Sequence, residues 1–286
     1  MARIHIIGAG TPTPTPERYG SSFVVEGAGE QIMIDCGPAA TYKLVRAGLW
    51  PPDIDYLFFT HHHFDHDVDY PCFLLTRWDQ GIDTANKLQV FGPAPTERLT
   101  EGILGDGGLW SQDIDSRVGH PVGRKVYENR GGKLPRKRPD VAATDVGVGK
   151  VFSGRDWQMT SATAEHVQPF MDSLAYRLDT PEGSIVFTGD TRPCDSVQEL
   201  AEGADTLLCM CWGDQEVIEA SGESPAVSGT LDAARMARDA GVSKLVLIHV
   251  GADLAVPGAR EKGIGDIKAV YDGELVFSEE AMVVDV

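Results

Sequence analysis

No stretch of the 286-residue chain approaches the ~18 uninterrupted apolar residues of a membrane span, so nothing in it reads as a transmembrane helix. The opening MARIHIIGAGTPTP has one basic residue and a short apolar run, too little for a signal peptide, and the expected location is the cytoplasm. Five cysteines (Cys36, Cys72, Cys194, Cys209 and Cys211) are odd in number and form no CxxC pair. That excludes a disulfide framework and fits reduced thiols. Positive charge is scarce: 25 Lys and Arg against 43 Asp and Glu give −18. Such a balance argues against broad affinity for nucleic acid or anionic membranes. No repeat of fixed period is visible. With 42% hydrophobic and 24% charged residues, disorder and collagen-like sequence are excluded too.

The charge is uneven. Arg117–Arg138 holds eight Lys or Arg and one acid, Glu128, a net of +7 that leaves −25 for the rest. Such a segment is expected to pack on an acidic surface, its own or a second subunit's, which makes a homodimer an expected arrangement.

Short β-branched runs at Arg3–Ile7, Ser22–Glu26, Gln31–Asp35 and Tyr56–Thr60 read as strands, with a helix over Ala39–Ala47 ended by Gly48. The C-terminal part repeats the alternation. Strands are expected at Ser184–Phe187, Thr206–Cys209, Leu245–Ile248, Gly273–Phe277 and Met282–Val284, and helices at Ser196–Ala201 and Leu231–Ala240. That alternation predicts a layered α/β (α+β) protein. Gly105–Gly149, rich in Gly, Pro and charge and without a period, reads as an irregular insertion.

Chemistry concentrates in Thr60-His61-His62-His63-Phe64-Asp65-His66, directly after an apolar strand. Several imidazoles and a carboxylate on one short loop are costly to bury without a metal or partners. His61 and His63 can turn toward one ion and Asp65 and His66 toward a neighbour, while His62 points elsewhere. His166 follows a strand, Asp190 ends SIVFTGD and His249 ends LVLIH, so three further strand ends finish in ligand-type residues. His5 and His120 read as structural. Asp35, at the end of MIDCG, reads equally as a turn residue or as a carboxylate orienting a ligand imidazole.

HHHFDH, His166, Gly189-Asp190 and His249, in that order, resemble the ligand motifs of the metallo-β-lactamase-fold hydrolases. The opening GAGTPTPTPERYGSSFVVE and MIDCGPAATYKLVRAG looks most like the ribonuclease Z and arylsulfatase branch. The resemblance spans the chain apart from Gly105–Gly149. It implies an αββα sandwich, one domain over 1–286 with an arm or lid inserted at about 105–149. It further implies that His61, His63 and His166 hold one divalent ion, that Asp65, His66 and His249 hold a second, and that Asp190 bridges them. Asp65 and Asp190 are then the catalytic carboxylates. Zn2+ suits such an imidazole-rich set, with Mn2+ or Fe2+ as alternatives.

The chain departs from the ribonuclease Z pattern in places. Cys209 and Met210 stand where that branch carries a His-Glu pair, so its proton-relay carboxylate is missing. Ser228-Gly229-Thr230 replaces a His-Ser-Thr helix start, and the 23 residues between His166 and Asp190 leave no room for that branch's RNA-binding arm. Flavodiiron proteins carry glutamate where His63 sits, which disfavours di-iron oxygen chemistry. Asp67 and Asp69 read as solvated charges or as acid/base groups near the ions. Arg77 and Trp78 are candidate substrate contacts, and Met210 and Trp212 a candidate apolar wall. The expectation is therefore a dinuclear metal hydrolase acting on a small-molecule ester, lactone, phosphodiester or sulfate ester, with nucleic acid disfavoured as a partner. The alternatives are a ribonuclease Z-like phosphodiesterase, a hydrolytic dehalogenase or, last, a non-catalytic binding protein.

Overall fold

The computed structural model describes residues 2–82 and 87–286. Its first part runs β1 (Arg3–Ala9), β2 (Ser21–Gly27), β3 (Glu30–Ile34), α1 (Ala40–Arg46), β4 (Tyr56–Phe58), α2 (Phe64–Asp67), α3 (Tyr70–Gln80), β5 (Leu88–Gly92), α4 (Thr96–Leu104), α5 (Ser111–Gly119), α6 (Pro121–Asn129) and β6 (Val141–Asp145). The second runs β7 (Gly149–Ser153), β8 (Gln158–Thr163), β9 (Leu174–Thr180), β10 (Gly183–Phe187), α7 (Asp195–Ala201), β11 (Thr206–Met210), α8 (Gln215–Ser221) and α9 (Thr230–Ala240). It ends with β12 (Lys244–Ile248), α10 (Ala252–Ala255), α11 (Ala259–Lys268), β13 (Glu274–Phe277) and β14 (Val283–Asp285).

The strands form two seven-stranded sheets, ordered β14-β1-β2-β3-β4-β5-β6 and β13-β12-β11-β10-β9-β8-β7. In each, an antiparallel part passes into a parallel one, β3 to β6 and β10 to β13. Parallel strands need helical crossovers, and those helices cover the outer faces. Between the sheets lies a dry layer in which Phe23 of β2 meets Phe187 of β10 at 5.8 Å and Phe58 of β4 meets Tyr176 of β9 at 5.6 Å. A second layer (Leu44, Phe59, Phe73, Leu74) lies under α1 and α3, and a third (Ala233, Ala237, Leu245, Ile267) under α9 and α11. The αββα sandwich expected from the sequence is the observed architecture. Among the described residues no helix is long and apolar enough to cross a membrane.

Gly105–Gly149 is not irregular. It folds into α5 and α6, and β6 extends the first sheet beside β5. No apolar stripe marked these helices because α6 buries none of its residues and α5 only Ile114. Electrostatics hold them instead: Arg117, Arg130 and Arg136 all converge on Asp79 of α3 in the same chain.

Candidate metal centre

Each ligand-type residue sits just past the carboxyl end of a strand. His61, His63, Asp65 and His66 follow β4 and enter α2, His166 follows β8, Asp190 follows β10 and His249 follows β12. Ligand atoms form two groups, His61, His63, His166 and Asp190 in one and Asp65, His66 and His249 in the other, each within 4.8 Å. Asp190 reaches across both. Its Oδ2 lies 3.9 Å from Nε2 of His61 and of His166 and 3.2 Å from His249 Nε2, and its Oδ1 lies 3.5 Å from His66 Nε2. The turn that aims Asp190 needs Gly189, whose φ is +58°. A Cβ there would lie 2.9 Å from Thr60 Cβ. His249 (φ +50°) and Asp35 (φ +58°) accept the same left-handed backbone without being glycine, local strain of the kind that the surrounding fold must hold in place.

A second ring of contacts fixes the imidazoles. Asp35 Oδ2 accepts from His66 Nδ1 at 2.8 Å, while Asp35 also accepts from the Thr60 amide (2.7 Å) and hydroxyl (2.9 Å). Thr60 Oγ1 in turn accepts from His61 Nδ1 at 3.0 Å. His166 Nδ1 donates to the Ala226 carbonyl at 2.7 Å. In each case the other ring nitrogen faces the centre. Asp35 is thus both the turn residue and the orienting carboxylate that the sequence left open. Thr60 and the Ala226 carbonyl were not anticipated: a hydroxyl beside the ligand loop was a weak signal, and a backbone oxygen leaves none.

Burial drives His61 well below the usual imidazole pKa, and His63 downward as well. Burial alone would lower His66 too, but the carboxylates of Asp190 and Asp35 outweigh it and hold His66 well above the usual value. Burial would raise Asp190, yet His249 and His66 hold it well below the carboxylate range. The pocket keeps an anionic carboxylate and demands positive charge opposite it. Three of its buried atoms, His66 Nε2, His249 Nδ1 and Asp190 Oδ1, have no hydrogen-bond partner among the described residues. Buried polar atoms are rarely left so, and this donor set of imidazoles and carboxylates fits divalent cations.

Other candidates fall elsewhere. His62 packs on Phe59 and bonds Asp67 (3.1 Å) and Thr96 (2.8 Å), tying the ligand loop to α4. Asp69 accepts the Thr41 amide at 2.6 Å, so both acids after the ligand loop serve packing. His5 pairs with Glu26, and His120 caps α6. Trp212 stacks on His249 at 5.7 Å, beside the centre. Met210 is corrected: it is fully buried with Ile218 and Val227, and its sulfur accepts the Thr191 amide, so it backs the Asp190 turn and forms no wall to substrate. Arg77 and Trp78 are corrected as contacts at the metal centre. Arg77 donates to the Ile54 carbonyl and Trp78 lies under the Arg136 guanidinium, about three helical turns from the ligand loop, because α3 leads away from it.

The family described as the metallo-beta-lactamase superfamily matches residues 15–69, and the beta-lactamase superfamily domain matches residues 111–250. A ribonuclease Z from Mycobacterium sp. (strain KMS) is 29% identical over 263 residues, 87% of this chain and 84% of its own. One from Haloferax volcanii is 26% identical over 311 residues, 99% and 95% of the two chains. Among solved structures, the metallo-beta-lactamase fold protein YhfI from Bacillus subtilis superposes with a TM-score of 0.73 at 18% identity, covering 99% of this chain and 98% of its own. Human tRNase Z, short form, superposes at 0.69 and 19% identity over the same shares. These relatives overturn the exclusion of nucleic acid in favour of a small-molecule partner, since ribonuclease Z and tRNase Z are named for RNA. Net charge misled because it averages the whole chain and says nothing of how charge is distributed locally.

Proposed function

Since the chain belongs to the metallo-β-lactamase superfamily and is a metal-dependent hydrolase, we propose that it cleaves phosphodiester bonds in RNA, as a ribonuclease Z-like enzyme. The observation that carries this reading is the gathering of seven ligand-type side chains, Asp190 among them, in a chain related along 87% of its length to a ribonuclease Z. His61, His63 and His166 would hold one divalent ion and Asp65, His66 and His249 the other, with Asp190 facing both. Zn2+ is the expected metal on ligand chemistry. Ions so bound supply Lewis acidity toward a phosphoryl oxygen and a water acidified toward neutral pH.

The protein's own part is positioning. Asp35 fixes the His66 ring, Thr60 fixes His61 and the Ala226 carbonyl fixes His166, so three imidazoles are oriented before any ion or substrate arrives. Trp212 over His249 keeps one side of the centre apolar and limits water there. His63 and His166, only half-buried, are the accessible edge where a phosphodiester would enter.

The test is hydrolysis of a precursor tRNA with a 3′ trailer, beside bis(4-nitrophenyl) phosphate, with and without chelator. Metal-dependent cleavage of both supports the reading. Hydrolysis confined to esters, lactones or sulfate esters, with RNA intact in metal-replete enzyme, would overturn it.

A further inference from the structure

The basic segment, which the metal centre does not use, is built around one carboxylate. Asp79, on the last turn of α3, receives Arg136 at 2.7 Å, Arg130 at 2.8 Å and Arg117 at 3.0 Å. Three guanidinium groups on one carboxylate leave a local surplus of positive charge. Arg117 and Arg138 have further acids in Asp113 and Asp115, but Lys133 and Lys137 form no ion pair among the described residues. Bringing like charges together is unfavourable unless an anion answers them.

The surplus is held rigidly. The Arg136 side chain is buried, lying between the Trp78 ring (4.2 Å) and the Tyr127 ring (4.8 Å). Trp78 Nε1 donates to the Lys137 carbonyl at 2.9 Å and so fixes the backbone on which Lys137 projects. Lys133 and Lys137 stand exposed on either side of buried Arg136. Together these residues line a cavity of about 390 Å³, whose lining also includes Arg138 and the paired Lys87 and Asp140. A floppy basic tail would not need a stacked, hydrogen-bonded base of this kind.

We propose that this cavity binds backbone phosphates of the RNA substrate, away from the scissile bond. The inference rests on the RNA reading given above and adds to it a second contact site. Trp78 lies eight residues along α3 from Tyr70, about 12 Å at 1.5 Å per residue, and Tyr70 follows the ligand loop closely. A strand whose scissile phosphate sits at Asp190 therefore reaches the cavity only if it extends several nucleotides beyond it. A dinucleotide or an aryl phosphodiester does not reach it. The cavity thus selects for length and for negative charge, and not for base identity, because cations and phosphates carry no sequence information.

The experiment compares wild type with Lys133→Glu/Lys137→Glu, and with the milder Lys133→Gln/Lys137→Gln should the reversal impair folding in thermal melts. Fluorescence anisotropy with a labelled, fully 2′-O-methylated RNA stem carrying a 3′ single-stranded tail measures affinity from 50 to 200 mM salt. Expected for the reversal are affinity at least tenfold weaker at low salt and a slope of log affinity on log salt smaller by about 1.4, two lost phosphate contacts at ~0.7 each for a single strand. In turnover, the ratio of kcat/KM for RNA to kcat/KM for bis(4-nitrophenyl) phosphate should fall at least tenfold, through KM. Unchanged affinity and salt slope in the folded variants would overturn the site, even if wild type cleaves RNA well. Wild type that binds this RNA through Lys133 and Lys137 but never cleaves RNA would leave the site standing and remove the ribonuclease reading instead.

Discussion

At the residue scale the centre depends on side chains that serve two neighbours at once. Asp190 faces both ligand groups, whereas every other ligand-type residue belongs to one. Asp190→Ala is therefore expected to lower metal content in both groups and to reduce phosphodiesterase activity by at least ~10³-fold, while His63→Ala spares the Asp65, His66 and His249 group. Elemental analysis of the purified variants checks it, and full metal content in Asp190→Ala would remove the bridging role. Met210 supports a different expectation. Its thioether cannot donate a proton at neutral pH, and the thiol of Cys209, pushed well up by burial, stays protonated in the core. General acid catalysis typically contributes ~10²–10⁴-fold. Cleavage should thus depend steeply on leaving-group pKa, with aryl phosphodiesters turned over ~10²-fold or more faster than RNA of equal accessibility. A flat dependence across a phenol series would show that another group supplies the proton. The clustering of ligand-type residues was legible in sequence because each follows a strand, where a polar side chain has little packing reason to be. Their orienting partners were not, because an aspartate in a turn and a backbone carbonyl look the same whether or not an imidazole rests on them.

At the scale of elements, β1 to β4, β10 to β14 and the helices α1, α7 and α9 were legible to within one or two residues, whereas β5 to β9 were given no bounds. α9, with Ala233, Ala234 and Ala237 facing the core, is one such case. α5 and α6 were not, since periodicity reports burial and these helices bury almost nothing. Their attachment runs through Asp79. Burial raises the Asp79 pKa, but Arg136, Arg130 and Arg117 outweigh that and hold it below the ordinary carboxylate value of 3.8. A depressed folded-state pKa stabilises the fold above the unfolded value and loses that contribution as pH falls through the folded one. Asp79→Asn, which leaves three guanidinium groups facing a neutral amide, is expected to destabilise by about 1–3 kcal/mol at pH 7. The gap from wild type should narrow only below about pH 3.8. Urea melts at pH 7, 5 and 3.5 read both statements. Equal stability at pH 7 would mean that α6 and the segment after it are held by packing that the arginines merely accompany.

At the scale of the whole molecule, the chain closes on itself. After thirteen strands fill the two sheets in sequence order, β14 leaves the second sheet and pairs antiparallel with β1 at the edge of the first, in the register Ile4–Val284. Buried Arg18 holds the crossing by donating to the carbonyls of Ser278 and Ala9, and Lys43 pairs with Glu280 at 2.7 Å. Met282–Val284 read as a strand in the sequence, but nothing local could say which sheet it joins. That choice is made by the open edge of β1 and the apolar slot between the sheets. It also bears on the metal centre, since Ala9 at the end of β1 accepts the amide of Val250, next to His249. Deleting residues 279–286 removes the buried side chain of Val284 together with the β1 ladder and the Lys43 ion pair, a loss of about 3 kcal/mol or more. The expected result is a lower Tm. It should be accompanied by weaker metal retention at Asp65, His66 and His249, with the His61, His63 and His166 group less affected. Differential scanning fluorimetry with metal analysis after graded chelation measures both, and a truncated protein with unaltered Tm would show that β1 needs no partner on that edge.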